Sequence, residues 1–288
     1  MLNTAITAIV DFPKCSGSIK GLPEHLYIRG DLPADINARG LGIVGSRRIS
    51  PYGIRVLREL FYYLKGSGTI IISGFTSGAD SYAHEYALSA GCSTVAVMPC
   101  GCDIIHPSSN TELYKKISGG GGAVVSEFAD GFRPQKWTYP KRNRLIAALS
   151  KILLVVEASL NSGSMITAHF AMKYGRKLFS VPGDIYMERS AGANKLVAGG
   201  AEIYLSPERI IAEMGLDRGE KPGIKNKVAI EGGLSEETNV LSVLKEKSSN
   251  FDKLFSETGI EPSALNAILI EMTLKNLISE RNGVYYVL

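Results

Sequence analysis

The chain has 288 residues, 45% hydrophobic and 21% charged, with 32 Lys/Arg against 28 Asp/Glu. That composition excludes a disordered or low-complexity chain, and its aliphatic runs stop well short of the roughly 20 residues a membrane-spanning helix needs, so no membrane span is expected. The charge is uneven: residues 1–233 hold 27 Lys/Arg against 20 Asp/Glu, and residues 234–288 hold 5 against 8, which favours the larger part as the site of any anionic ligand.

In chain order, residues 1–40 read as an N-terminal lead-in segment with a short edge strand at 26–28. From Leu41 a rhythm begins. Strand LGIVG (41–45) meets the turn SRRISPYG and the amphipathic helix IRVLRELFYYLK; strand TIIIS (69–73) leads through GFTSGAD to the helix SYAHEYALSAG. Strand STVAVM (93–98) is followed by PCGCDIIHP and a helix near 111–117, then by strand AVVSEF (123–128). Strand KILLVVEA (151–158) precedes SLNSGS and the helix MITAHFAMKYG; RKLFSVPGD and AEIYLS supply two more strands. Short buried strands alternating with helices predict an α/β domain over 41–216, a Rossmann-like parallel sheet with helices on both faces. Residues 217–233 are charged and glycine-containing, a linker by composition. Residues 234–288 predict a small winged-helix-like domain: a capped helix opening at Ser235, helices over NFDKLFSETG and EPSALNAILIEMTLKNLISE, and a terminal hairpin at NGVYYVL.

The four cysteines, Cys15, Cys92, Cys100 and Cys102, form no disulfide-like framework, and MLNTAITAIVDFPK lacks the charged start and small-residue cleavage site of a secretory signal. A cytoplasmic location is expected. Cys100, Cys102 and His106 leave a metal site short of ligands, so no metal and no cofactor are expected. His84 and His169 read as core or capping residues, and Asp80 as compensation for a helix dipole.

One segment has a character of its own. RPQKWTYPKRNR (133–144) contains Arg133, Lys136, Lys141, Arg142 and Arg144, no acidic residue, and the chain's single tryptophan. Pro134 and Pro140 argue for an extended path, and cations interleaved with Trp137 and Tyr139 suit a phosphate backbone with stacked bases, although Trp137 fits a cover for the sheet edge equally well. Three turns at the carboxyl ends of strands have a phosphate-binding look: Gly45-Ser46-Arg47-Arg48, Gly74-Phe75-Thr76-Ser77-Gly78 and Asn161-Ser162-Gly163-Ser164. Together they favour an anion longer than a mononucleotide. Arg47, Arg142 and Arg144 would neutralise successive phosphates, and Asn143 would hydrogen-bond a base edge or tie its loop to the sheet.

IVGSRRISPYG, ISGFTSGADSYAHEYAL, TVAVMPCGCDIIHP, YPKRNRLIAALS, LLVVEASLNSGSMITAHFA and RKLFSVPGD resemble, in order and spacing, the DNA-processing protein A (DprA, or Smf) family, over roughly residues 21–216. The resemblance implies an extended Rossmann fold that binds single-stranded DNA, dimerises, and loads RecA recombinase onto incoming DNA during natural transformation. Carried onto this sequence, the family's DNA pocket would use Ser46, Arg47, Arg142, Asn143, Arg144, Ser162, Gly163 and Ser164, with Lys136 and Gly74 beside them. Phe75 and Thr76 stand where smaller residues are usual. The N-terminal helical domain of many relatives is not expected here. A homodimer is expected at the sheet's far end, where Ile210, Ile211 and Met214 recur at helical spacing, although that pattern is equally a core-packing face.

The rival from another class is an enzyme, a Rossmann-type nucleotide phosphoribohydrolase with Glu127 and Glu157 as its acid/base pair, although such carboxylates more often hold arginines, and Arg142 and Arg144 lie nearby in sequence. Such enzymes carry a PGGxGTxxE loop, and the equivalent turn here, SGSMITAHF, has no glutamate. The expectation is therefore a protein with no catalytic residues.

Overall fold

The central aliphatic runs of the larger part become strands buried on both sides, because their alternate side chains feed two different cores. The computed structural model describes residues 7–13, 19–216, 236–275, 277–281 and 283–287. Cys15, the linker at 217–233 and the helix-capping Ser235 lie outside the described residues. The chain divides into two units, Met1–Asp217 and Arg218–Leu288.

The first unit runs β1 (Ala8–Asp11), β2 (His25–Gly30), α1 (Ile36–Arg39), β3 (Gly40–Val44), α2 (Pro51–Leu64), β4 (Ile70–Ser73), α3 (Ala79–Ser89), β5 (Thr94–Val97), α4 (Thr111–Lys116), β6 (Gly122–Ser126), α5 (Thr138–Leu149), β7 (Ile152–Val155), α6 (Gly163–Lys173), β8 (Lys177–Ser180), α7 (Glu188–Ala198), β9 (Glu202–Ile203) and α8 (Pro207–Met214). One nine-stranded sheet takes the order β1-β2-β6-β5-β4-β3-β7-β8-β9. From β6 to β9 all neighbours are parallel; β2 pairs antiparallel with β6, Tyr27 opposite Ser126, and β1 antiparallel with β2. The sheet is thus mixed rather than purely parallel, and the segment read as a lead-in supplies its edge hairpin.

On one face, Val44, Ile70, Ile72, Val95, Val97, Leu153 and Val155 meet Leu145, Ile146 and Leu149 of α5 and Ala168 and Ala171 of α6. On the other, Leu41, Ile43, Ile71, Ile152 and Leu154 meet Leu57, Leu60 and Leu64 of α2 and Ala83 and Ala87 of α3. Each fully buried large aliphatic side chain contributes about 1.5–3 kcal/mol. Ile210, Ile211 and Met214 of α8 belong to this second core. Of the two readings their spacing allowed, it is the core-packing face that is found, and the three residues are not available as a dimer surface.

The sequence-based reading also fails over 138–144. Thr138–Leu149 is a helix, not an extended segment. Pro140 falls in its first turn, where a backbone N–H has no intrahelical partner to lose. Helix α7 was not anticipated.

The chain leaves β3 through α2 and steps outward through β4, β5 and β6, then returns along α5 to β7 on the opposite side of β3. The boundary between β3 and β7 is therefore the switch point of the topology, where turns leaving the two strands diverge and open a crevice.

The second unit contains α9 (Glu236–Glu246), β10 (Ser249–Asn250), α10 (Phe251–Thr258), α11 (Pro262–Leu274), β11 (Ile278–Arg281) and β12 (Val284–Val287), with strand order β10-β12-β11. Asn250 caps α10 by accepting from the Lys253 N–H at 3.0 Å. Val240, Leu244, Leu254, Leu265, Leu269, Met272 and Ile278 form its core. The third predicted helix ends at Leu274, and Ile278–Arg281 is a strand. Ile270 and Leu274, one turn apart on α11, face outward.

Candidate nucleic-acid interface

A cleft of about 680 Å³ opens at the switch point. Its walls are the turn after β3 (Gly45, Ser46, Arg47, Arg48), the turn after β7 with the start of α6 (Ser159, Ser162, Gly163, Ser164), the first turns of α5 (Tyr139, Arg142, Asn143), Thr76 and Asp80 after β4, and Met187, Glu188 and Arg189 at the start of α7. Among the described residues, four guanidinium groups line it against two carboxylates.

The walls are tied to one another by side chains. Ser164 Oγ donates to the Gly45 carbonyl at 2.9 Å, joining the β7 turn to the β3 turn. Asn143 Nδ2 donates to the Gly163 carbonyl at 3.1 Å, joining α5 to α6. Arg142 Nη1 donates to the carbonyls of Gly74 and, at 2.7 Å, Val97, joining α5 to the ends of β4 and β5. Arg144 pairs with Glu127 at the end of β6 and donates to the Gly21 carbonyl. Three consecutive residues of one helical turn thus reach the ends of four strands' turns. A Cβ on Gly74 would collide with the Arg142 guanidinium, so the glycine there makes room for that side chain. Gly78, at φ +82°, lies so close to the backbone of Ser46 and Arg47 that any side chain would displace them.

Of the residues expected at the site, Ser46, Arg47, Arg142, Asn143, Ser162, Gly163 and Ser164 line the cleft; Gly74, Lys136 and Arg144 do not. Arg142 is only 3% exposed. Burial lowers its pKa and the neighbouring Asp80 opposes that shift; burial raises the Asp80 pKa, against the pull of Arg142 and the donors of Thr76. Arg142 and Arg144 therefore serve first as ties within the fold. Asn143 takes the loop-tying role. Lys136 is exposed beside the cluster that fixes Trp137, whose ring stands edge-on to Phe128 and Phe132 with Lys141 Nζ 5.8 Å from its centroid. Trp137 covers the loop after β6, and Tyr139 is the aromatic residue in the cleft.

Arg47 and Arg48 are exposed and have no ion-pair partner among the described residues, as is Arg189, which no local pattern in the sequence had marked. The Arg47 guanidinium carbon lies 5.6 Å from the Tyr139 ring centroid, an arrangement that presents a cation and a π-face side by side. Helix ends add to this field selectively. At α2 the free amides are screened by Glu157, which accepts from the Ser50 N–H at 2.9 Å and from the Ser50 hydroxyl. At α3, Asp80 accepts from Thr76 N and Oγ1. Helix α6 begins at Gly163 with no acidic residue in its first turn and no side-chain cap, so its positive end points into the cleft unscreened.

Phe75 is turned away from the cleft and fully buried at φ +64°, a backbone cost of about 1–3 kcal/mol, while Thr76 forms part of the wall. The thiols of Cys100 and Cys102 are buried and directed at the backbone carbonyls of Ile104 and Tyr27. His169 is exposed, contrary to the core or capping role expected for it. His84 is buried, with Nδ1 2.7 Å from Thr94 Oγ1. Burial and then the charge of Arg142 push its pKa down to about 3. The unfolded chain protonates this imidazole near its ordinary value while the folded one does not, so its contribution to stability is complete above that value and is lost as pH falls. Between pH 6.5 and 5 this group's contribution to the unfolding free energy should fall by about 1.6 kcal/mol in all, the slope steepening toward about 1.4 kcal/mol per unit at the acid end, and His84→Gln should flatten it. Urea titrations across this range would show it, and equal slopes for the two proteins would contradict it.

This cleft can be set beside known proteins. A profile of the family described as DNA recombination-mediator protein A matches residues 4–215. The chain belongs to that family. Protein Smf of Synechocystis is 30% identical over 314 residues, covering 96% of this chain and 77% of that protein. Protein Smf of Escherichia coli is 39% identical over 192 residues, 67% of this chain and 51% of its own length, so the match spans about half of that relative. DNA processing protein A from Helicobacter pylori, whose structure was solved to describe a unique single-stranded DNA binding mode, superposes with a TM-score of 0.65 at 32% identity, over 72% of this chain and 94% of that one. The family match covers the whole nine-stranded unit, cleft included.

Proposed function

We propose that the cleft binds single-stranded DNA and that the protein is a cytoplasmic, non-enzymatic recombination mediator that delivers the strand to RecA recombinase during natural transformation. One observation carries the reading: Arg47, Arg48 and Arg189, the unscreened start of α6 and the Tyr139 ring converge on one groove at the sheet's switch point. A phosphate backbone takes the cations and amides, and a base takes the ring. Membership of the recombination-mediator family and the single-strand binding of the Helicobacter pylori protein support it. So does the engagement of the two carboxylates that a nucleotide hydrolase would need: Glu127 is held by Lys141 and Arg144, Glu157 by Ser50.

The second unit has the helix, strand and hairpin order of a winged helix. Its net negative charge and the apolar Ile270 and Leu274 on α11 suit a protein partner better than duplex DNA. Homodimerisation belongs to the proposal through a surface other than Ile210, Ile211 and Met214.

A titration with oligo-dT, duplex DNA and mononucleotides tests the reading. Oligo-dT should bind tightest, its affinity falling with salt by about 0.7 in log–log slope per neutralised phosphate. Preference for mononucleotides, or hydrolysis of them, would overturn it. Light scattering on the same sample reads the dimer, and a mass fixed at 31.0 kDa at every concentration would remove it.

A further inference from the structure

We propose that the bound strand seats one nucleobase in a second, apolar pocket beyond Ser162, while the turn before α6 grips the adjoining phosphate. The inference rests on the cleft being a single-strand site and adds to it a place where a base, rather than the backbone, is held.

The pocket, about 350 Å³, is lined by Leu160, Asn161, Ser162, Met165, Ile166 and His169. It shares Ser162 with the main cleft, on whose side the next two residues, Gly163 and Ser164, begin α6. One short run of sequence therefore builds both the phosphate-facing helix start and the wall next to it. The two neighbours differ in chemistry. The cleft is lined by guanidinium groups, whereas among the described residues the second pocket has no Lys, Arg, Asp or Glu. A phosphate gains nothing there. A base has an apolar π-face and a polar edge, and the lining offers a match for each: Leu160, Met165 and Ile166 for the face, Asn161 and His169 for the edge.

Two further observations point to an occupant. Leu160 is 51% and Ile166 38% exposed, so the apolar walls stand uncovered in the free chain. Ser162 lines both spaces, and its hydroxyl is buried with no hydrogen-bond partner among the described residues. A buried hydroxyl without a partner carries a desolvation cost that a nucleotide's oxygen or nitrogen at the junction would relieve. Continuity with the cleft through this residue selects a base of the same strand as the occupant.

The test compares oligo-dT with an abasic strand of equal length, for the parent chain and for I166Q, a neutral change on the outer face of α6. The parent should bind oligo-dT more tightly than the abasic strand. I166Q should lose about tenfold on oligo-dT and nothing on the abasic strand, with the salt slope and the urea midpoint unchanged. H169A should show a smaller loss of the same kind. Equal loss on both strands, or parental affinity for oligo-dT, would overturn the base pocket while leaving the cleft standing. A parent chain that binds neither strand would overturn the cleft reading and the pocket with it.

Discussion

Replacing Arg142 with alanine should cost about 3–5 kcal/mol of stability, a large part of the 5–15 kcal/mol typical of a folded domain. The guanidinium is 3% exposed, donates to two backbone carbonyls at the ends of β4 and β5, and lies beside Asp80. Its removal takes a donor from both buried carbonyls and leaves the Asp80 carboxylate, still held by Thr76, without its neighbouring positive charge. Arg142→Lys should recover only part of the loss, since one ammonium cannot reproduce the forked donors. Urea unfolding would read the effect as a lower midpoint at unchanged slope. If the midpoint stays put while affinity for oligo-dT falls, Arg142 faces the ligand and not the sheet.

Arg47→Ala combined with Arg48→Ala should do the opposite: a large loss of binding at nearly constant stability. Both side chains are exposed, and surface changes of this kind stay within about 0.5 kcal/mol. A charge-assisted hydrogen bond to phosphate is worth about 1.5–3 kcal/mol, so each lost arginine should weaken oligo-dT binding roughly tenfold to a hundredfold. The salt slope should flatten by about 0.7 for each phosphate no longer neutralised. A slope equal to the parent's would mean that neither arginine meets the backbone.

These two variants also mark where the sequence was legible and where it was not. Turns such as Gly45-Ser46-Arg47 and Ser162-Gly163-Ser164 could be placed because each follows an aliphatic run that only a buried strand explains. That they share one crevice depends on β7 returning to the side of β3, a matter of topology with no local signature. The cations of 133–144 were conspicuous, yet charge alone does not distinguish a phosphate from a carbonyl as partner. The carbonyls that hold Arg142 lie 68 and 45 residues away in the chain. Pro140 misled because a proline argues against a helix everywhere except its first turn. The spacing of Ile210, Ile211 and Met214 announced a buried face but not what buries it. Arg189 carried no signal at all, sitting in a segment whose helix was not anticipated.

The ties from Ser164 to Gly45 and from Asn143 to Gly163 exist before any ligand arrives. A host whose walls are already set leaves the guest to do the rearranging, so the loss of conformational freedom on association falls mainly on the nucleic acid. If the groove takes a single strand as proposed, discrimination among sequences should follow mainly from how readily each strand gives up its own self-stacking and bends into it, which favours supple pyrimidine runs over stiff purine ones.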